Sequence, residues 1–134
     1  MKKKILIIIT VGILAALGTA YYMWNKPKRT AADEKPVASL TADDLFQAYS
    51  ENETASNAAY LNKVLEVSGN VVNTETDPTG AIVAYLETSD LLGTVSCTFI
   101  PGNDPGVNTG DQIKIKGICT GMLTDVILTQ CVKQ

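Results

Sequence analysis

The chain has 134 residues and no histidine, which removes the commonest general base, the commonest zinc ligand and any Ser–His or Cys–His nucleophile pair. Its formal charge of −3 is unevenly divided: residues 37–134 carry twelve acids against four lysines, net −8, while residues 1–36 carry seven bases against two acids, net +5. A surface that acidic repels phosphate backbones, so nucleic acid is disfavoured as a general partner; bound cations, basic protein surfaces or plain solubility fit it better.

Met1-Lys2-Lys3-Lys4 is followed by an uncharged apolar run from Ile5 to Ala20, and Tyr21, Tyr22 and Trp24 stand at its end. The 19 residues from Ile5 to Met23 would span roughly 29 Å as a helix, the thickness of a bilayer core. Aromatic rings at that point favour the headgroup zone. Residues 1–24 therefore read as a membrane anchor. A cleaved secretory signal is the alternative, since Gly18-Thr19-Ala20 supplies the small residues that a signal peptidase accepts. No cysteine lies in or just after the run, so a lipid-modified N-terminus is not supported. Lys2, Lys3, Lys4 and the α-amine outweigh Lys26, Lys28 and Arg29 by a small margin. The charge bias thus favours a cytoplasmic N-terminus in the inner membrane with the C-terminal domain outside, or release outward after cleavage.

Residues 25–36, NKPKRTAADEKP, are polar with a proline near each end and no apolar periodicity. They are expected to form a flexible linker. Residues 37–134 then make one domain, large enough for a modest core.

Within it, Thr41 followed by Asp43 and Asp44 is a helix start: Thr41 can cap, Asp44 can return the bond, and both acids favour the positive end of the helix dipole. Leu45, Phe46, Tyr49, Ala55, Ala59 and Tyr60 can share one broad stripe, which predicts a single helix over 42–60. The period then changes to two. Residues 64–72 alternate around Leu65, Val67, Gly69 and Val71, with Gly69 suggesting a bulge or sharp coil. Asp77-Pro78-Thr79-Gly80 is a turn by its residues. Residues 81–88, 94–100, 112–121 and 125–132 predict four more strands, and residues 101–110 a loop rich in breakers. The expected architecture is mainly β: a five-stranded Greek-key OB-fold barrel preceded by one α-helix, behind the N-terminal transmembrane helix. An open antiparallel sheet with one covering helix is the second possibility.

The chain also resembles the bacterial tRNA_anti-like group of OB-fold proteins, described as lipoproteins or membrane-anchored proteins of unknown function. The resemblance rests on Glu51-Asn52-Glu53 with Ala55 and Tyr60, on residues 63–69 (KVLEVSG), and on residues 95–99 (VSCTF). It continues through Gly110-Asp111, residues 113–121 (IKIKGICTG) and residues 125–128 (DVIL) with Cys131, covering about residues 41–132. It implies the barrel fold. The group's name implies kinship with tRNA-anticodon-binding barrels, but binding a single strand calls for a basic groove with stacking aromatics. Here the strands carry only Tyr85 and Phe99, in a domain of net −8.

No catalytic constellation is found, and no metal or cofactor is implied. Barrels of this kind bind ligands across strands two and three and the adjacent loops. That places a candidate surface on Val83, Tyr85, Glu87, Ser96 and Thr98, with the loops at 77–80 and 101–110. A polar cluster on the helix, Asn52, Glu53 and Tyr60 with Asn57, is a second candidate. A structural disulfide is expected from the three cysteines in an oxidising compartment. Cys97–Cys131 is preferred because strands three and five are parallel neighbours in such a barrel, whereas Cys119 in a tight hairpin falls opposite about Leu128, some 10 Å along the strand from Cys131. The function expected is a membrane-tethered, extracytoplasmic, non-catalytic binding or scaffold module for an envelope protein or glycan. The alternative is a single-stranded nucleic-acid or tRNA-binding protein.

Overall fold

The computed structural model describes residues 1–27 and 29–134. Its first element is α1, Lys2–Asn25, a 24-residue helix with no buried residue. Its apolar window has a mean hydropathy of 2.2, and the helix is long and apolar enough to cross a membrane.

Five strands follow: β2 (Val64–Thr76), β3 (Ile82–Leu86), β4 (Val95–Phe99), β5 (Gln112–Met122) and β6 (Val126–Lys133), numbered after a short β1 (Ala38–Thr41). They pair in the order β2-β3-β4-β6-β5, and β5 closes back on β2. The β4–β6 pair is parallel and the other barrel pairs are antiparallel. This is a closed five-stranded OB-fold barrel. Closure leaves no barrel edge unpaired, which an open sheet of this size would not achieve.

Closure depends on the length of β2. Residues 64–70 pair with β5 and residues 71–76 with β3, with a register shift between Val71 and Asn73. Gly69 sits where the strand changes partner. A Cβ there would come within 3.1 Å of Ala42 Cβ and 3.4 Å of Leu86 Cβ. The glycine is therefore needed for close approach, and the bulge falls just beyond it.

The predicted single helix is two: α2 (Ala42–Glu51) and α3 (Glu53–Tyr60). Asn52 breaks it. Its N–H closes α2 on Ala48 O at 3.1 Å, and its Oδ1 accepts from Ala55 N at 3.0 Å to cap α3. Leu45, Phe46 and Tyr49 enter the core, whereas Ala55 and Ala59 are exposed. Thr41 Oγ1 caps α2 as expected, accepting from Asp44 N at 3.1 Å. Asp43 turns to Ser89 N instead, at 2.7 Å. α2 closes the barrel end where β4 and β6 begin, with Phe46 against Gly93.

Residues ahead of the barrel, read from sequence as linker, lie along its wall. Ala31, in a turn of 3-10 helix (Ala31–Asp33), is fully buried with Val64 and Ile118 in a small cluster outside the main core. Lys116 Nζ donates to Glu34 O at 3.1 Å and Ala32 O at 3.4 Å. Arg29 pairs with Glu34 and donates to Asn62 O at 2.7 Å. β1 then adds parallel to β2, with Ala38 beside Leu65 and Thr41 beside Ser68. Four residues are too few for a sequence pattern to announce this strand.

The expected disulfide is absent: Cys97, Cys119 and Cys131 are buried free thiols. Strands β4 and β6 are parallel neighbours, as argued, but their register shifts after Cys97. Cys97 lies beside Leu128 while Cys131 lies beside Phe99. Cys119 faces Leu128, as the hairpin spacing requires, and its Sγ contacts Tyr49 Oη at 3.3 Å.

Candidate binding surfaces

The strand register assembles the first surface. Tyr85 lies opposite Ser96 on β4, and Val83 opposite Thr98. On the other side Tyr85 faces Asn73 and Val83 faces Glu75, both from the last part of β2. Tyr85 Oη donates to Glu75 Oε2 at 3.2 Å, and Asn73 Nδ2 donates to Glu75 Oε1 at 3.3 Å. Desolvation first, then the Glu75 carboxylate, raises the Tyr85 phenol pKa, so the ring presents a neutral hydroxyl. The bulge after Val71 is what swings Asn73 and Glu75 onto this face. Strict alternation from Val71 would have turned Asn73 and Glu75, two residues apart, to the inner face, and no residue pattern announces the shift that reverses this.

The two loops expected to flank this face meet. Gly80 and Ile82 share a cavity of about 280 Å³ with Gly102, Asn103 and Asp104. The 77–81 turn is tightly closed: Asp77 Oδ1 accepts from Thr79 Oγ1 at 2.6 Å, Thr79 N at 2.8 Å and Ala81 N at 3.0 Å. Gly80 takes φ +84° there, a conformation that suits glycine.

Glu87 stands apart. It lies beyond the last residue of β3 and lines a separate groove of about 280 Å³ with Thr41, Asp43, Asn70 and Gln112. The strand ends and the barrel turns away before alternation can carry Glu87 beside Tyr85.

The helix cluster also divides. Asn52 is used as a double cap, and the Tyr60 ring tilts against Tyr49 with centroids 6.5 Å apart. Glu53 and Asn57 remain together, lining a cavity of about 440 Å³ with Leu61, Gly121, Met122, Leu123 and Ile127. The buried Asn57 Oδ1 has no hydrogen-bond partner among the described residues. Ile127 pairs with Ser96, so this groove and the Tyr85 face adjoin.

The Cys131 thiol is pushed well above its ordinary pKa by burial, with the neighbouring Cys97 thiol adding to the effect. Burial and the Cys119 thiol likewise raise the Tyr49 phenol. Both are therefore protonated and poor nucleophiles near neutrality. Among the described residues no three Cys, Asp or Glu side chains converge as a metal site would require. Two of the strand lysines are engaged elsewhere: Lys116 holds the segment before β1, and Lys114 pairs with Glu66 at 3.7 Å. The Tyr85 face carries the Glu75 carboxylate among neutral polar groups, with Asp125 near enough to act on the phenol.

Comparison with known proteins agrees with this architecture. A family model described as tRNA_anti-like matches residues 1–133. A crystal structure of a "putative nucleic acid-binding lipoprotein" from Klebsiella pneumoniae superposes with a TM-score of 0.58 at 16% identity, covering 70% of this chain and 90% of that one. At that identity the likeness is one of fold. No curated protein matches the chain.

Proposed function

This chain belongs to the tRNA_anti-like family, and from that premise we propose that it is a non-catalytic binding module, tethered by α1 to the inner membrane, with its barrel outside the cytoplasm. The ligand surface is the face built on Asn73, Glu75, Val83, Tyr85, Ser96 and Thr98, continued by the loops at 77–80 and 101–104. Its partner is an envelope protein or glycan that offers hydrogen-bond donors or basic groups.

The single observation that carries this reading is the composition of the face. A tyrosine hydroxyl already bonded to Glu75 sits among serine, threonine and asparagine, while Lys114 and Lys116 are engaged elsewhere. Such a surface complements donors and cations and opposes a phosphate backbone. The apolar leader with its net +5 flank supports the tether, and the absence of histidine together with the burial of all three thiols supports a non-catalytic role.

A photo-crosslinking amino acid at Ser96, in the full chain in native membranes, tests the surface. A discrete envelope protein or glycan should be captured, and Tyr85→Ala with Glu75→Gln should abolish capture. Capture unchanged by that pair refutes the face. RNA recovered as the cross-linked species would favour the second reading, a single-strand nucleic-acid binder, which the description of the Klebsiella protein motivates.

A further inference from the structure

Leu91 and Leu92 are 99% and 88% exposed, and Leu123 is 83% exposed. Adjacent leucines thrust this far into solvent are unusual in a small domain. The loop that carries the first two is held firmly. Asp90 Oδ1 accepts from Leu92 N at 2.8 Å, Thr88 Oγ1 donates to Gly93 O at 2.6 Å, and Gly93 is clamped over Phe46. Leu123 belongs to the same barrel end. The Leu123 N–H donates to Asp125 O at 3.1 Å, and the Asp125 carboxylate in turn accepts from Thr94 N at 2.8 Å, one residue past Gly93.

The segment from α1 arrives at this end too. Arg29 is pinned to the Asn62 carbonyl, Asn62 N donates to Cys119 O at 2.8 Å, and the neighbouring Leu61 lines a groove with Leu123. Only Lys26, Pro27 and Lys28 separate Arg29 from the end of α1 at Asn25. That stretch reaches at most about 14 Å when fully extended. With α1 in a bilayer, the docked strap of residues 29–34 keeps this end of the barrel close to the membrane surface.

We propose that Leu91, Leu92 and Leu123 rest on the lipid surface beside the chain's own α1, held there by the strap that Ala31, Arg29 and Lys116 fasten to the barrel wall. The contact rests on the membrane-tether reading above. It leaves the Tyr85 face turned along the membrane or away from it, free for a partner. Asp43, Asp90 and Asp125 ring the same end, so the surface suits zwitterionic lipid and is repelled by anionic lipid, with salt relieving the repulsion.

Tryptophan quenching by bromine-labelled phosphatidylcholine tests this with the full chain in vesicles. Trp24 is the sole native tryptophan and reports on the tether: it should lose emission in brominated lipid. In a Trp24→Phe background, Leu92→Trp and, separately, Leu123→Trp should also be quenched. Adding Arg29→Ala with Lys116→Ala should reverse the quenching at 92 and 123, while the same pair in the native background leaves Trp24 quenched. Quenching of Trp24 without quenching at 92 and 123 overturns the lipid contact and spares the tether. A blue-shifted but unquenched tryptophan at 92 also overturns it, and means that a protein surface or a second copy covers the leucines. An unquenched Trp24 overturns both readings.

Discussion

Gly93 leaves no room for a side chain. A Cβ there would lie 2.0 Å from Phe46 Cζ and 2.2 Å from Cε2, and the ring is itself buried. Gly93→Ala should therefore destabilise the barrel by about 1–3 kcal/mol in urea denaturation. Phe46→Leu should offset part of that loss, so the two changes should be non-additive. The cysteines give a second residue-level test. Without reductant, all three should resist alkylation in the native chain and all three should react once it is unfolded, as counted by intact mass; a disulfide would leave two unmodified. Asp77 gives a third. Its hydrogen bond from the Thr79 side chain, with backbone bonds from Ala81 and Thr79, holds its carboxyl below the ordinary 3.8. A lowered folded value means stability that is complete above the ordinary aspartate range and is lost as pH falls through the folded value. The advantage of wild type over Asp77→Asn should hold near neutrality and vanish in acid. At this scale the sequence revealed the inward and outward alternation of the first four barrel strands, including the shared outward face of Val83, Tyr85, Ser96 and Thr98. It could not reveal Asn73 and Glu75, which reach the face only through a bulge, or the displacement of Glu87, which follows from where β3 stops.

At the scale of elements, the five barrel strands were readable because each alternates over a span bounded by glycine, proline or aspartate. The capped start of α2 was readable for the same local reason, a threonine placed before two acids. Thr41→Ala should cost about 1 kcal/mol, measured by chemical denaturation, since it removes the acceptor for Asp44 N. The α2–α3 break was not readable. Asn52 has adequate helix neighbours on both sides, and the apolar stripe continues across it in sequence; what decides the break is that one residue serves two helix ends, its backbone N–H closing α2 and its side-chain Oδ1 capping α3. The strap and β1 were illegible for another reason. The strap docks through Ala31 over Val64 and Ile118, and β1 through Ala38 and Leu40 against the core, too few apolar residues for composition to distinguish from a loose linker. Amide exchange should separate the possibilities. The β1 amides that pair with β2 should exchange more slowly than those of the exposed 101–106 loop, and Lys116→Ala should accelerate exchange in residues 31–36.

On the scale of the whole molecule, a strongly acidic barrel follows a basic, apolar leader, and the strap shortens the distance between them. The family match and the fold agree on an OB barrel, a scaffold that serves many ligands, so the charge and make-up of the face must choose among them. The sequence carried that choice in outline, because the count of four lysines against twelve acids in residues 37–134 is independent of the fold. The structure sharpened it by engaging Lys114 and Lys116 away from the Tyr85 face. The most direct test is fluorescence anisotropy with the full chain in neutral detergent, titrated at low salt into a labelled single-stranded oligonucleotide and, in parallel, a labelled lysine- and arginine-rich peptide. The account predicts no saturable oligonucleotide binding and peptide binding that Glu75→Gln with Tyr85→Ala weakens. Sub-micromolar oligonucleotide binding that falls steeply with added salt would contradict it.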